Sequence, residues 1–253
     1  MNLPHRLDRT VVIQASPQTV FSFLTENDRW ASWWGTGSTI EPKTGGRVYI
    51  RHANGIESSG EVVEVVPPTR MVFTYGFNSG KPIPPGSSLV TIDLAPQGQA
   101  TRLELRHDFA DAGVRDEHVQ GWRYQLSVFG NVVTDLVNAN AAEAVDAWFR
   151  AWAETGEPAR RQLLERIAVP EIRFRDRYSL LDGIDDLVPH IAATQRFMPN
   201  MKLARRGDVR HCQGTLLVGW AALSGDGQDR GSGTNVFTLD AGGKITSVTG
   251  FWG

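Results

Sequence analysis

Asp176 is the residue whose type and setting point most directly to chemistry. In Ile172-Arg173-Phe174-Arg175-Asp176, an extended segment places Ile172, Phe174 and Asp176 on one face, because side chains alternate with a period of two. If Phe174 faces an apolar pocket, Asp176 faces it too. Desolvation there raises a carboxyl pKa, which suits a base that takes a proton next to a carbonyl. That chemistry also needs donors for the developing enolate oxygen, and Tyr178 and Trp220 carry suitable O–H and N–H groups. The competing reading is structural: Arg175 pairs with Asp176 and holds it ionised. His107 stands between Arg106 and Asp108, where acid–base work competes with a solvated charge cluster at a strand end. His190 belongs to a helical stretch and either enters a pocket or lies on the surface. His211 and Cys212 are adjacent, not spaced as metal ligands, so no metal is expected. No glycine-rich phosphate loop is present, and Gly225-Asp226-Gly227 reads as a hairpin turn, so no cofactor is expected either.

The elements that must position these residues follow from periodicity and turn chemistry. Thr10 to Gln14 is a short strand pattern, and Ser16-Pro17 is a helix start, with Ser as N-cap and Pro at the first helical position. Val20, Phe21 and Leu24 form that helix's apolar face, and Asn27 to Trp34 breaks it. Strand signals follow at Arg47–His52, Gly60–Val66, Arg70–Tyr75, Ser88–Leu94 and Thr101–Asp108, separated by Gly-, Pro- and Asn-rich turns. Val119, Trp122, Leu126, Phe129, Val133 and Leu136 then recur at steps of three and four, as a long helix lying across a sheet requires. Asn138-Ala139-Asn140 interrupts it. A second helical pattern with Val145, Trp148, Phe149 and Trp152 runs to Gly156-Glu157-Pro158, and a third runs over Pro158–Ile167. Asp185 and Asp186 open a helix to about Phe197, with their charges at its positive end. Strands are expected at Met201–Val209, Gly214–Leu223, Gly231–Leu239 and Lys244–Phe251. The fold class is α+β, in two domains at 1–138 and 139–253.

Composition narrows the function classes. The 253 residues are 41% apolar and 21% charged with a net charge of −2, which is globular. Neither half is basic enough for a nucleic-acid module. Cys212 is the single cysteine, which rules out an internal disulfide. No apolar run approaches the roughly 20 residues that span a bilayer, and the first ten residues lack a signal-peptide core. A soluble cytoplasmic protein without nucleic-acid or membrane partners is the expectation. The eight Trp cluster, as rings lining apolar cavities or as plain packing. Trp30, Trp33 and Trp34 are read as either a structural cap or a binding wall. Gly121 and Gly130, inside the long helix, imply close approach of sheet or ligand.

The first half resembles the START-like (Bet v-type helix-grip) superfamily, in the branch named for the activator of heat-shock-protein-90 ATPase. The residues that carry this are Val12, Ala15-Ser16-Pro17, Val20-Phe21, Trp33-Trp34, Gly45-Gly46, Gly60-x-Val62-x-Glu64-Val65-x-Pro67-Pro68-x-Arg70, Thr101-Arg102-Leu103 and His118-x-x-Gly121-Trp122. The resemblance implies a curved antiparallel sheet around a long C-terminal helix, enclosing an apolar cavity. The second half resembles SnoaL-like polyketide cyclases and ketosteroid isomerases of the nuclear-transport-factor-two-like cone fold. Its carriers are Val145-x-x-Trp148-Phe149-x-x-Trp152, Arg173-Phe174-Arg175-Asp176, Leu181-x-Gly183-x-Asp185-x-Leu187 and Gly242-x-Lys244-Ile245-x-x-Val248-x-Gly250-Phe251-x-Gly253. That resemblance implies Asp176 as catalytic base, Asn235 at the place of the isomerase's acidic donor, and Phe149 at or near that of its tyrosine, without the hydroxyl. It also implies a homodimer formed through the cone's sheet.

Three functions follow. The first is a two-domain cavity protein that binds small lipophilic or aromatic molecules, with Trp33, Trp34 and Trp122 lining one cavity. Trp148, Phe149, Trp152, Phe174, Tyr178 and Trp220 line the other. The second is a polyketide cyclase- or isomerase-like enzyme using Asp176 as acid/base and Asn235 as donor. The third is a chaperone ATPase-stimulating module.

Overall fold

The structure is a computed structural model that describes residues 2–253. The chain divides into two compact units, one ending at Thr134 and the other running from Asp135 to Gly253.

The first unit begins with β1 (His5–Ile13), α1 (Pro17–Ser22), α2 (Asn27–Trp34), β2 (Thr39–Ile40) and β3 (Arg47–Arg51). It continues with β4 (Glu57–Val66), β5 (Arg70–Tyr75), β6 (Ser88–Gln97), β7 (Ala100–Phe109) and α3 (Ala112–Val137), whose residues from Asp135 on belong to the second unit. Ser16 caps α1 as its sequence suggests: its side chain accepts from the Thr19 amide, and Pro17 opens the helix. The segment Asn27–Trp34 is a helix, not a break. Trp30, Trp33 and Trp34 stand at i, i+3 and i+4, which is one helical face, and all three are buried. Burying that face overrides the poor helix propensity of Asn27, Asp28 and Trp. Seven strands form one sheet in the order β1-β7-β6-β5-β4-β3-β2, every pair antiparallel. Gly60 is obligatory on β4, because a Cβ there would collide with the Thr74 carbonyl of β5. The 26-residue α3 buries Trp122, Gln125, Leu126, Phe129 and Val133. Leu136, expected on that face, is 45% exposed. Phe129 sits edge-on to Trp33 and Phe23, and the Gln125 amide donates to the Trp33 carbonyl, so α2 and α3 are locked by rings and a buried hydrogen bond.

The second unit comprises α4 (Ala141–Ala153), α5 (Glu157–Ile167), β8 (Ala168–Arg175), β9 (Leu180–Asp182) and α6 (Ile184–Phe197), then β10 (Lys202–Cys212), β11 (Thr215–Leu223), β12 (Asp229–Leu239) and β13 (Ile245–Trp252). The sheet order is β10-β11-β12-β13-β8-β9. β13 runs parallel to β8, and the other pairs are antiparallel. The sheet is therefore mixed, with a short β9 that the sequence reading lacked. Gly183, at φ 90°, makes the left-handed turn into α6 that a residue with a Cβ resists. Trp148 is the hub of the core: Phe237 meets it edge-on, and Phe174 and Trp152 tilt against it. The whole is α+β, a helix-grip unit followed by a cone unit. Among the described residues no helix is long and apolar enough to cross a membrane.

Candidate functional site

Each unit encloses a cavity on its own ring-rich core. In the first unit the cavity is about 1060 Å³, at the upper end of small-molecule sites. α2 supplies Trp33 and Trp34, α3 supplies His118, Gly121 and Trp122, and β5 with its following loop supplies Tyr75 and Phe77. A Cβ added at Gly121 would meet nothing within 4 Å. This glycine therefore marks open space above the helix, not a close approach of the sheet.

Three histidines gather around this wall. His107 on β7 is fully buried, which corrects the solvated charge cluster inferred from Arg106 and Asp108. Strand alternation turns those two outward and His107 inward. The Trp122 indole donates to His107 Nδ1 at 2.8 Å, His107 Nε2 lies 2.8 Å from the Ser88 hydroxyl, and that hydroxyl donates to the Tyr75 carbonyl at 2.9 Å. The imidazole is thus a relay with both nitrogens used. Burial, helped by nearby His118, pushes its pKa well below the usual histidine value. His52 is held low by burial alone. His118 is held low by burial, against the opposing pull of the Val114 carbonyl and Glu117. Burial also pushes Tyr75 up to about 12, with its Ser58 hydrogen bond opposing, so the phenol stays protonated.

The cone's cavity is about 290 Å³. Trp148 and Trp152 from α4, Phe174 from β8, Trp220 from β11 and Trp252 from β13 make its walls. Asp176 and Asn235 both line it. Asp176 lies one residue past the end of β8, half-buried, yet keeps the face of Phe174. Its carboxylate accepts from the Tyr178 amide at 2.8 Å and the Trp252 indole at 3.3 Å. No ion pair joins it to Arg175 among the described residues, and Arg175 is exposed, so the structural pairing does not form. Gly250 stands between the two candidate polar groups: a Cβ there would lie 3.2 Å from Asn235 Oδ1 and 3.2 Å from Asp176 Cβ. Asn235 is 7% exposed. The indole nitrogens of Trp152 and Trp220 are buried without a hydrogen-bond partner, and such unmet donors are costly in an apolar wall.

Of the other sequence-derived site residues, Tyr178 lines the cavity at its rim, 70% exposed. Phe149 is buried but absent from the wall. One helical step turns it about 100° from Trp148, so it packs into the core instead. His190 does line the cavity, 3.2 Å from the Ser179 hydroxyl. Burial lowers its pKa while Asp176 pulls the other way. His118, His52, Arg230 and Gly250 went unassigned to any site in the sequence. Two of them lie in the motifs quoted for the resemblances, His118 in His118-x-x-Gly121-Trp122 and Gly250 in Val248-x-Gly250-Phe251-x-Gly253. His211 pairs with Asp135 at 2.6 Å, and no group of three or more His, Cys, Asp or Glu among the described residues could hold a metal ion.

Residues 14–134, nearly all of the first unit, match the family model of the Activator of Hsp90 ATPase homolog 1-like protein. No curated protein matches the chain. Among solved structures, a putative isomerase of the SnoaL-like family from Agrobacterium tumefaciens is 24% identical, covering 47% of this chain and 98% of its own, with a TM-score of 0.43. The Aha1 dimer from Colwellia psychrerythraea is 16% identical, covering 48% of this chain and 90% of its own, with a TM-score of 0.42. CalU16 from Micromonospora echinospora is 25% identical, covering 49% of this chain and 73% of its own, at 0.42.

Proposed function

We propose, from the premise of a helix-grip domain matching the model of the Hsp90-ATPase-activator-homologue family followed by a cone, that this is a cavity protein binding small lipophilic or aromatic molecules. The observation that carries the reading is that each unit surrounds its own cavity with aromatic side chains. Rings give a large apolar contact area with few rotatable bonds. We place the protein in the cytoplasm, as a homodimer through the cone sheet. The dimer reading is supported by β13, whose last two residues, Phe251 and Trp252, are 58% and 38% exposed.

The test is titration calorimetry of the full chain with naphthalene, beside a variant that fills one cavity. Gly121→Leu projects a side chain into open space on α3, so it should abolish the first-unit binding isotherm and leave the cone's unchanged. Two unaltered isotherms in that variant count against the reading.

A second reading has its own support in the cone. Asp176 and the Asn235 side chain, whose amide can donate, share one small cavity. A carboxylate base with a donor in an apolar space suits proton transfer next to a ketone. Proton abstraction moves the C–H proton to Asp176 and leaves an enolate whose oxygen accepts from that donor. Return of the proton at another carbon completes an isomerisation. Asp176→Asn should stop deuterium exchange of a bound cyclic ketone, followed by NMR, while its affinity changes less than about threefold. Undiminished exchange removes Asp176 from the chemistry.

A further inference from the structure

We propose that the cavity of the first unit takes a neutral aromatic ligand bearing a carbonyl group, and that the Nδ1–H of His52 donates to the carbonyl oxygen. The proposal rests on the reading of this unit as a ligand-binding domain and names the ligand's class.

His52 directly follows β3 and keeps the inward face of Val48 and Ile50, since side chains alternate along the strand. Its half-buried ring lines the cavity between two other wall residues. Trp34 meets it edge-on at 5.7 Å, and Phe77 stacks on it at 6.4 Å. The imidazole closes a triangle with two hydroxyls. His52 Nε2 lies 3.1 Å from the Ser58 hydroxyl and 3.3 Å from the Tyr75 hydroxyl, and Ser58 donates to Tyr75 at 3.0 Å.

Counting protons around that triangle fixes the tautomer. Each hydroxyl has one proton. Ser58 gives its own to the Tyr75 oxygen, so the Tyr75 proton goes to His52 Nε2. Burial holds the ring neutral near pH 7, and a neutral imidazole has a single N–H. That N–H is therefore Nδ1. The reverse assignment, with Nε2 donating to Ser58, strands the proton of Tyr75, a side chain only 5% exposed. Nδ1 makes no hydrogen bond among the described residues, and unlike the Trp34 and His118 ring nitrogens it is not sealed from solvent.

The wall thus presents one oriented, neutral donor, and a carbonyl oxygen only accepts. An ammonium group meets no lone pair at Nδ1. A carboxylate accepts, but Glu57 and Glu117 outnumber Lys81 on the wall, which opposes an anion. Trp33, Trp122 and Phe77 supply apolar faces for the ligand's rings. Tyr75 is the positioning residue, because it acts on the ligand only through His52.

The test uses the full chain labelled with ¹⁵N-histidine and two nearly isosteric probes, 2-acetonaphthone and 2-isopropenylnaphthalene, with calorimetry and NMR. The His52 signals are those missing from His52→Phe. In the wild type His52 should be protonated at Nδ1, with Nε2 at the downfield position of a lone-pair nitrogen. The wild type should prefer the ketone by about fivefold, the scale of one net hydrogen bond. The Nδ1 resonance should move downfield with the ketone and less with the alkene. In His52→Phe the affinity ratio should fall to about one. In Tyr75→Phe the His52 proton should move to Nε2, which then donates to Ser58, and the ratio should fall likewise. A wild-type His52 protonated at Nε2, equal affinities for the two probes, or a preference that survives His52→Phe each overturn the proposal and leave the cavity reading intact. Absence of any probe binding that Gly121→Leu removes overturns the proposal together with that reading.

Discussion

His107 has both ring nitrogens committed in a dry site, and its protonation is opposed by burial and by His118. The unfolded chain has no such opposition, so its His107 titrates near 6.5. Below that value the unfolded state binds a proton that the folded state refuses. The relay's contribution is full above pH 6.5 and is lost as pH falls toward the depressed folded value. The urea midpoint of the first unit should accordingly drop between pH 7 and pH 5, and His107→Gln should flatten that slope. An identical slope in the variant assigns the effect elsewhere. Arg160 is a second residue whose role is spatial. It is 1% exposed, and its guanidinium donates to the Glu154, Thr155 and Val188 carbonyls and the Gln195 side chain. Arg160→Met leaves those acceptors bare and should cost about 3 kcal/mol in chemical denaturation of the cone. Neither role was legible in sequence: Arg160 reads as one more charge on a polar helix, and His107 is flanked by charges that alternation turns away. Asp176 was legible, because period two carries its face past the strand end, whereas the absence of an Arg175 pairing required coordinates.

At the scale of elements, α3 was readable from the three-and-four spacing of Trp122, Leu126, Phe129 and Val133. Its end was marked by the break at Asn138-Ala139-Asn140. α2 was carried by the same kind of spacing, Trp30-Trp33-Trp34, but the Asn27-Asp28 start argues against a helix when propensity alone is weighed. Tertiary burial decides it. The parallel pairing of β13 with β8 was not readable, since nothing local records which distant strand lies alongside. Phe129, 1% exposed and wedged against Trp33 and Phe23, should cost about 3–5 kcal/mol as Phe129→Ala, read in denaturation of the first unit. Gly121→Leu moves the other way. It replaces a helix-interior glycine with a good helix former, worth up to about 1 kcal/mol, in space a Cβ does not contest. A higher melting temperature together with lost naphthalene binding is the expected pair of results.

At the scale of the whole chain, the division into units makes its own prediction. A fragment ending at residue 138 keeps α3 whole, and one beginning at Asp135 keeps the 2.6 Å Asp135–His211 pair. Each should melt cooperatively by itself, and a broad, non-cooperative melt in either shows that its core is incomplete. The proposed homodimer should dissociate in sedimentation equilibrium on Phe251→Asp, and an unchanged mass removes β13 from the interface. One property of the chain reaches both units. Of its eight tryptophans, Trp33, Trp34 and Trp122 border one cavity, and Trp148, Trp152, Trp220 and Trp252 border the other. Only Trp30 borders neither. The molecule therefore carries built-in optical reporters almost entirely at its cavities. The Trp33–Trp34 pair, 4.3 Å between centroids and tilted by 33°, is close enough for coupled transitions. Occupation of the first cavity should alter a near-ultraviolet dichroic couplet, and occupation of the second should quench a separate set of emitters, with no added dye.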